Sequence, residues 1–104
     1  GEQTRDFIYV RDIAKANSIA LNQKCAGVFN VGTGNETSVN LIAKNLLKIS
    51  KSKLAPKHGA EKQGEQRRSS IDSRKLFKSF GWESSISLEE GLVETFNYFK
   101  NKVN

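Results

Sequence analysis

At 104 residues, with 37% hydrophobic and 27% charged side chains, the chain holds at most one domain, and a domain of this size buries roughly two-thirds of its unfolded surface around a modest core. One cysteine and one histidine exclude an internal disulfide and a cysteine/histidine metal set, and no run of about 18 apolar residues could span a bilayer. The net charge of +6 calls for an anionic partner without saying which anion.

The chain opens on "GEQTRDFIYV" and contains no methionine. It is therefore expected to be an excised piece of a longer protein. Its lone thiol and the lack of a secretory apolar stretch point to the cytoplasm. Residues 7–10, "FIYV", combine aromatic and β-branched side chains and predict a short strand. Asp12 is then the N-cap candidate of a helix whose Ile13, Ala16, Ile19 and Ala20 recur at helical spacing and which ends near Gly27. Cys25, near that end, reads as a small apolar residue, because His58 lies far along the chain and gives it no base.

"VFNV", residues 28–31, predicts a buried strand that stops at "GTGNETS". Thr37 or Ser38 caps a second helix with Val39, Ile42, Leu46 and Ile49 on one face. Residues 50–68 are rich in lysine and arginine and hold the only proline, Pro56, with Gly59 and Gly64. They predict a long basic connection around a short strand at Leu54, and "SSI" at 69–71 offers another. Asp72 is expected to cap a short helix over 73–80, closed by Gly81 in a left-handed turn. Ser87 and Glu90 form a capping box for the last helix, whose stripe is Leu88, Leu92, Phe96 and Phe99. Strand, helix, strand, helix, basic connection, helix, helix predicts an α/β lobe of short strands with four helices, too few strands for a full doubly wound sheet.

Two motifs invite chemistry. In "FNVGTGNETS" a strand enters a glycine-containing loop and then a helix, the layout of a phosphate cradle. Its spacing is neither the dinucleotide fingerprint nor a P-loop, since no lysine follows, and a tight strand-to-helix turn is the reading the residues favour. Tyr98 and Lys102 spell Y-x-x-x-K, but in the last turn of the terminal helix with no glycine loop before them. Helical spacing produces such pairs, and they read as an interfacial tyrosine beside a solvated lysine.

Four segments together, "GEQTRDFIYVRDIAKA", "FNVGTGNETSV", "GEQRRSSIDSRKL" and "FGWESSISLEEGL", resemble in order and spacing the C-terminal part of the NAD-dependent epimerase/dehydratase family, the extended short-chain dehydrogenases. They look most like its UDP-glucose 4-epimerase branch. The resemblance covers essentially this whole chain and the last third of the family's usual length. It implies a nucleotide-sugar-binding lobe over residues 1–104, an N-terminal Rossmann domain as its partner, and NAD bound by that domain. It implies no cofactor and no catalytic residue in these 104 residues, hence an inactive piece of an active enzyme.

The resemblance also implies a UDP-sugar ligand. Arg5 matches the arginine that grips the diphosphate, a role for a planar fork; the residues alone favour a salt bridge from Arg5 to Asp6 or Asp12. Lys62 stands where the family more often has arginine, keeping charge but losing the fork. Glu65 matches the acceptor of ribose hydroxyls, with Gly64 permitting the turn between them. Ser69 matches the substrate gate, where a small side chain leaves room for N-acetylated sugars. Another reaction of the same family, a dehydratase for instance, is the alternative. A basic nucleic-acid-binding module is the alternative from outside it, disfavoured because residues 50–68 lack an aromatic to stack on a base. Neither nucleic acid nor membrane is expected as a partner. Apolar helix faces without a Rossmann domain are expected to drive self-association.

Overall fold

The computed structural model describes residues 1–24 and 26–103; the reading of Cys25 lies outside the described residues. Among the described residues there are four helices and a two-stranded antiparallel sheet, as the predicted fold class requires. Its strands are not where the apolar runs place them. β1 is Thr4–Arg5 and β2 is Thr37–Ser38, with Thr4 opposite Ser38 and Arg5 opposite Thr37.

The expected strand at 7–10 does not form: residues 7–9 stay irregular and Val10 opens α1, Val10–Asn22. Residues 28–31, those around Leu54 and 69–71 also stay outside any strand. A strand needs a neighbour for its N–H and C=O groups, and an apolar run signals burial rather than pairing. Ile8, Phe29 and Val31 do pack on the core.

The helices begin and end on local chemistry. α2, Val39–Ser50, is capped by Ser38, whose Oγ accepts from the Leu41 amide at 3.1 Å, and it stops at left-handed Lys51. α3, Arg74–Phe80, ends at Gly81 with φ 72°, whose amide reaches Phe77 O at 2.8 Å. Asp72 sits one place too early to be its cap residue, yet it accepts from the Arg74 amide at 3.0 Å and grips the Arg74 guanidinium. α4, Leu88–Val103, makes half of its capping box: Ser87 Oγ accepts from the Glu90 amide at 3.2 Å. α2 packs against α4.

Asp12 is not the cap of α1. The helix starts two residues before it, so Tyr9 occupies the cap position and makes no side-chain bond there. Asp12 is buried instead. Its carboxylate accepts from Ser85 N, Ser85 Oγ and Ile86 N at 3.1–3.2 Å, while its carbonyl takes Trp82 Nε1 at 3.0 Å. This pins α1 to the turn that launches α4. Among the described residues the buried apolar core is Ala16, Leu76 and Trp82, against which Ile8, Ile19, Phe29, Val31 and Phe80 pack, with Phe29 and Phe80 edge to face at 5.5 Å. It holds α1, α3 and residues 28–31 together, and Ile8 ties to it the chain that continues from β1.

Candidate functional site

β1 is short, but three segments converge on it. The Thr4 amide donates to Arg67 O at 2.8 Å and draws residues 65–68 alongside the strand. Thr4 Oγ1 donates to Glu36 Oε1 at 2.6 Å. Glu36 in turn accepts a two-pronged grip from Arg68, Nε at 3.0 Å and an outer nitrogen at 2.7 Å. The hydrogen bonds from Arg68 and then from Thr4 outweigh desolvation and lower the Glu36 carboxyl to about 2.

Arg5 pairs with neither Asp6 nor Asp12. One guanidinium nitrogen donates to Thr4 O at 2.6 Å and another to Glu65 Oε1 at 3.4 Å, both side chains being 33% exposed. Glu65 lies at the end of a turn in which its amide reaches Lys62 O at 3.3 Å and Gly64 takes φ 80°. The structure thus joins Arg5 and Glu65 directly; Lys62 shares the turn with Glu65, and its side chain is exposed. Ser69 is half-buried two residues past the Arg67 anchor; among the described residues its side chain makes no hydrogen bond with the other three.

Asp6, the next residue, takes the glycine loop. Its carboxylate accepts from Thr33 N at 3.0 Å, Thr33 Oγ1 at 2.6 Å, Gly34 N at 2.9 Å and Ile71 N at 3.0 Å. Burial disfavours its charge, but these bonds from Thr33, Ile71 and Gly34 together win and hold the carboxyl below its ordinary range. The fit is close. A Cβ on Gly32 would lie 2.6 Å from Ile71 Cβ and 3.0 Å from Asp6 Oδ2, and Gly34 sits at φ 78°, where glycine is favoured. The loop that looked like a phosphate cradle therefore closes on an internal anion. The Thr33 and Gly34 amides that a phosphate cradle would turn outward are committed to Asp6.

An apolar groove of about 890 Å³ runs from Thr37, opposite Arg5, past Phe7 and Tyr9 to Leu92, Tyr98 and Phe99 of α4. Lys102 Nζ lies 5.3 Å from the Tyr98 ring centroid and Phe99 packs edge-on to that ring at 5.2 Å. The Y-x-x-x-K letters thus form a surface cation–π contact. Among the described residues no cluster of His, Cys, Asp or Glu is arranged to hold a metal ion, and no helix is long and apolar enough to cross a membrane.

Asp6 and the Glu36–Arg68 clamp escape a reading of the sequence, because each joins residues 27 to 65 positions apart. One signal was present. A cradle-like loop without the lysine of a P-loop still needs an acceptor for its amides, and a short acidic side chain in "RDF" can supply one.

A family model for GDP-mannose 4,6 dehydratase matches residues 1–95. Among curated proteins, the chain is 43% identical over 105 residues to a Methanocaldococcus jannaschii protein with the provisional name UDP-glucose 4-epimerase, covering 97% of this chain and 32% of that one. Among solved structures it superposes on UDP-glucose 4-epimerase with UDP-glucose from Thermotoga maritima at a TM-score of 0.93 and 38% identity, covering 100% of this chain and 34% of that one. It superposes on UDP-N-acetylglucosamine 4-epimerase from Methanobrevibacter ruminantium M1, in complex with UDP-N-acetylmuramic acid, at 0.89 and 32%, covering 98% and 33%. Other solved relatives are complexes with NAD.

Fold and comparisons together define the C-terminal lobe of an extended short-chain dehydrogenase. The chain belongs to the NAD-dependent epimerase/dehydratase family described by the GDP-mannose 4,6 dehydratase model. It spans about a third of the length of the curated relatives it matches.

Proposed function

We propose that this chain is the substrate-side lobe of a UDP-sugar 4-epimerase and holds the nucleotide of the substrate while the rest of the protein supplies NAD and catalysis. The observation that carries this reading is the meeting of Arg5 and Glu65, 60 residues apart in sequence, at 3.4 Å. An ion pair this exposed contributes about 0–1 kcal/mol. A diphosphate, offering oxygens to both prongs of the guanidinium, displaces Glu65 from Arg5. Glu65 is then free to accept from the ribose hydroxyls, for which a carboxylate is suited because it has only acceptors.

Lys62, carried on the same turn, adds positive charge without fork geometry. Ser69 leaves space beside the sugar, so the site admits N-acetylated hexoses, consistent with likeness to the M. ruminantium enzyme. Arg5, Arg67, Arg68 and Arg74 are each engaged with a carboxylate. That favours a nucleotide-sugar pocket over a basic face free to track a nucleic acid. The whole protein is read as a cytoplasmic isomerase, with the lobe alone inactive.

Calorimetric titration with UDP tests this. Arg5→Lys, which keeps the charge and loses the fork, is expected to weaken binding about tenfold or more, and Glu65→Gln about tenfold. Incubation with NAD and UDP-glucose should give no UDP-galactose. Unchanged UDP affinity in both variants, or no binding by the parent chain, would reject the reading.

A further inference from the structure

Three segments build the site around Arg5: β1, the loop at 32–36 that leads into β2, and residues 65–71. Two carboxylates touch all three: Glu36, from the second, through the Thr4 and Arg68 side chains, and Asp6, through backbone amides. Asp6 belongs to the first by the backbone, takes two amides and a hydroxyl from Thr33 and Gly34 of the second, and takes the Ile71 amide of the third. Its four contacts match the roughly four acceptor sites of an ionised carboxylate. All four partners are donors, so an acceptor-only group is what the cradle needs. An asparagine in its place would turn an NH2 towards N–H groups.

Successive backbone amides turned to one point form an anion-binding concavity. In this chain the anion is part of the polypeptide, and its backbone neighbour is Arg5. The Ile71 amide is only two residues beyond Ser69. The Thr4 amide holds β1 to Arg67 O on one side of Ser69, and on the other side the length of the Asp6 side chain sets how far the chain after Arg5 stands from Ile71.

We propose that Asp6 is a positioning residue for the sugar-nucleotide site: it occupies the glycine loop as an internal anion and so, together with the Thr4–Arg67 backbone bond, fixes the spacing between Arg5 and Ser69. The proposal rests on the sugar-nucleotide reading above for the ligand, but the positioning itself is measurable without one.

The test is chemical rescue of Asp6→Ala, which empties the cradle while leaving its amides in place. Formate has the size of the carboxylate removed. Sodium formate, with sodium chloride at equal strength as control, is added to isotopically labelled wild type, Asp6→Ala and Asp6→Asn. In Asp6→Ala the amide resonances of Thr33, Gly34 and Ile71 shift with formate and not with chloride, and those of Arg5 and Ser69 return towards their wild-type positions. UDP affinity falls about tenfold in Asp6→Ala and recovers with formate; in Asp6→Asn it falls and does not recover.

If Asp6→Ala is unfolded, formate-dependent refolding supports the proposal in the same way. An Asp6→Ala whose Arg5 and Ser69 resonances and UDP affinity match the wild type without formate overturns it. So does an Asp6→Ala that formate leaves unchanged while Asp6→Asn binds UDP like the wild type. Failure of the wild type to bind UDP would reject the nucleotide reading instead, while formate-driven return of the Arg5 and Ser69 signals would still support positioning.

Discussion

Asp6 and Glu36 show how single carboxylates tie distant parts of this chain, and they make its acid behaviour predictable. Both are held below their ordinary values, Asp6 below 3.8 and Glu36 from 4.5 to about 2. A carboxyl whose folded value is depressed contributes stability that is fully present above its unfolded value and is lost as pH falls through the folded one. The melting temperature should therefore respond little to these two groups from neutral pH down to about 4.5 and then drop towards about 2. Asp6→Asn should melt lower at neutral pH and show a shallower acid slope, measured by circular dichroism; parallel wild-type and variant curves would contradict the assignment. The same residues show what single-residue reading reaches. The pairing of Arg5 with Glu65 was not legible from the residues alone, since the neighbourhood of Arg5 offered Asp6 and Asp12. Those two aspartates instead serve partners 27 to 74 positions away, and sequence proximity says nothing of such partners.

Helices were legible at the scale of elements because their signals sit within a turn of their ends. Ser38 before Val39, Gly81 after Phe80 and Ser87 before Leu88 each do locally what their residue types suggest. Strands were not. "FIYV" and "VFNV" have the composition of strands, but pairing is decided by a neighbour elsewhere in the chain, and the observed pair joins polar Thr4–Arg5 to polar Thr37–Ser38. That pair places Ser38 in two roles, the last residue of β2 and the cap of α2. Ser38→Ala should cost about 1 kcal/mol in a urea melt, whereas Ser38→Asp, which can still accept from the Leu41 amide, should retain most of the stability. Equal losses in both would mean that the serine matters to the β1–β2 pair and not to the helix.

The whole molecule is a slab measuring 48 × 37 × 19 Å, about two helix diameters thick. Two packed layers can enclose a core between them, and among the described residues the buried apolar side chains are Ala16, Leu76 and Trp82. The outer face of α4 consequently keeps Tyr98 at 56% and Phe99 at 59% exposure along the groove, with Val10 at 69% across from them. On the reading of the chain as a substrate-side lobe, this groove is a face that the rest of the protein would cover. An apolar surface without its partner lowers its free energy by removing area from water, at roughly 25 cal/mol per Å², and the chemistry available to the isolated chain is another copy of the same groove. Light scattering should then report an average mass that rises above 11.6 kDa with concentration. Phe99→Glu, which puts a charge in the groove at a site already exposed, should hold the mass at the monomer value without lowering the melting temperature. A wild-type mass that stays at 11.6 kDa at every concentration would show that water covers this face adequately and that the groove is not driven to pair.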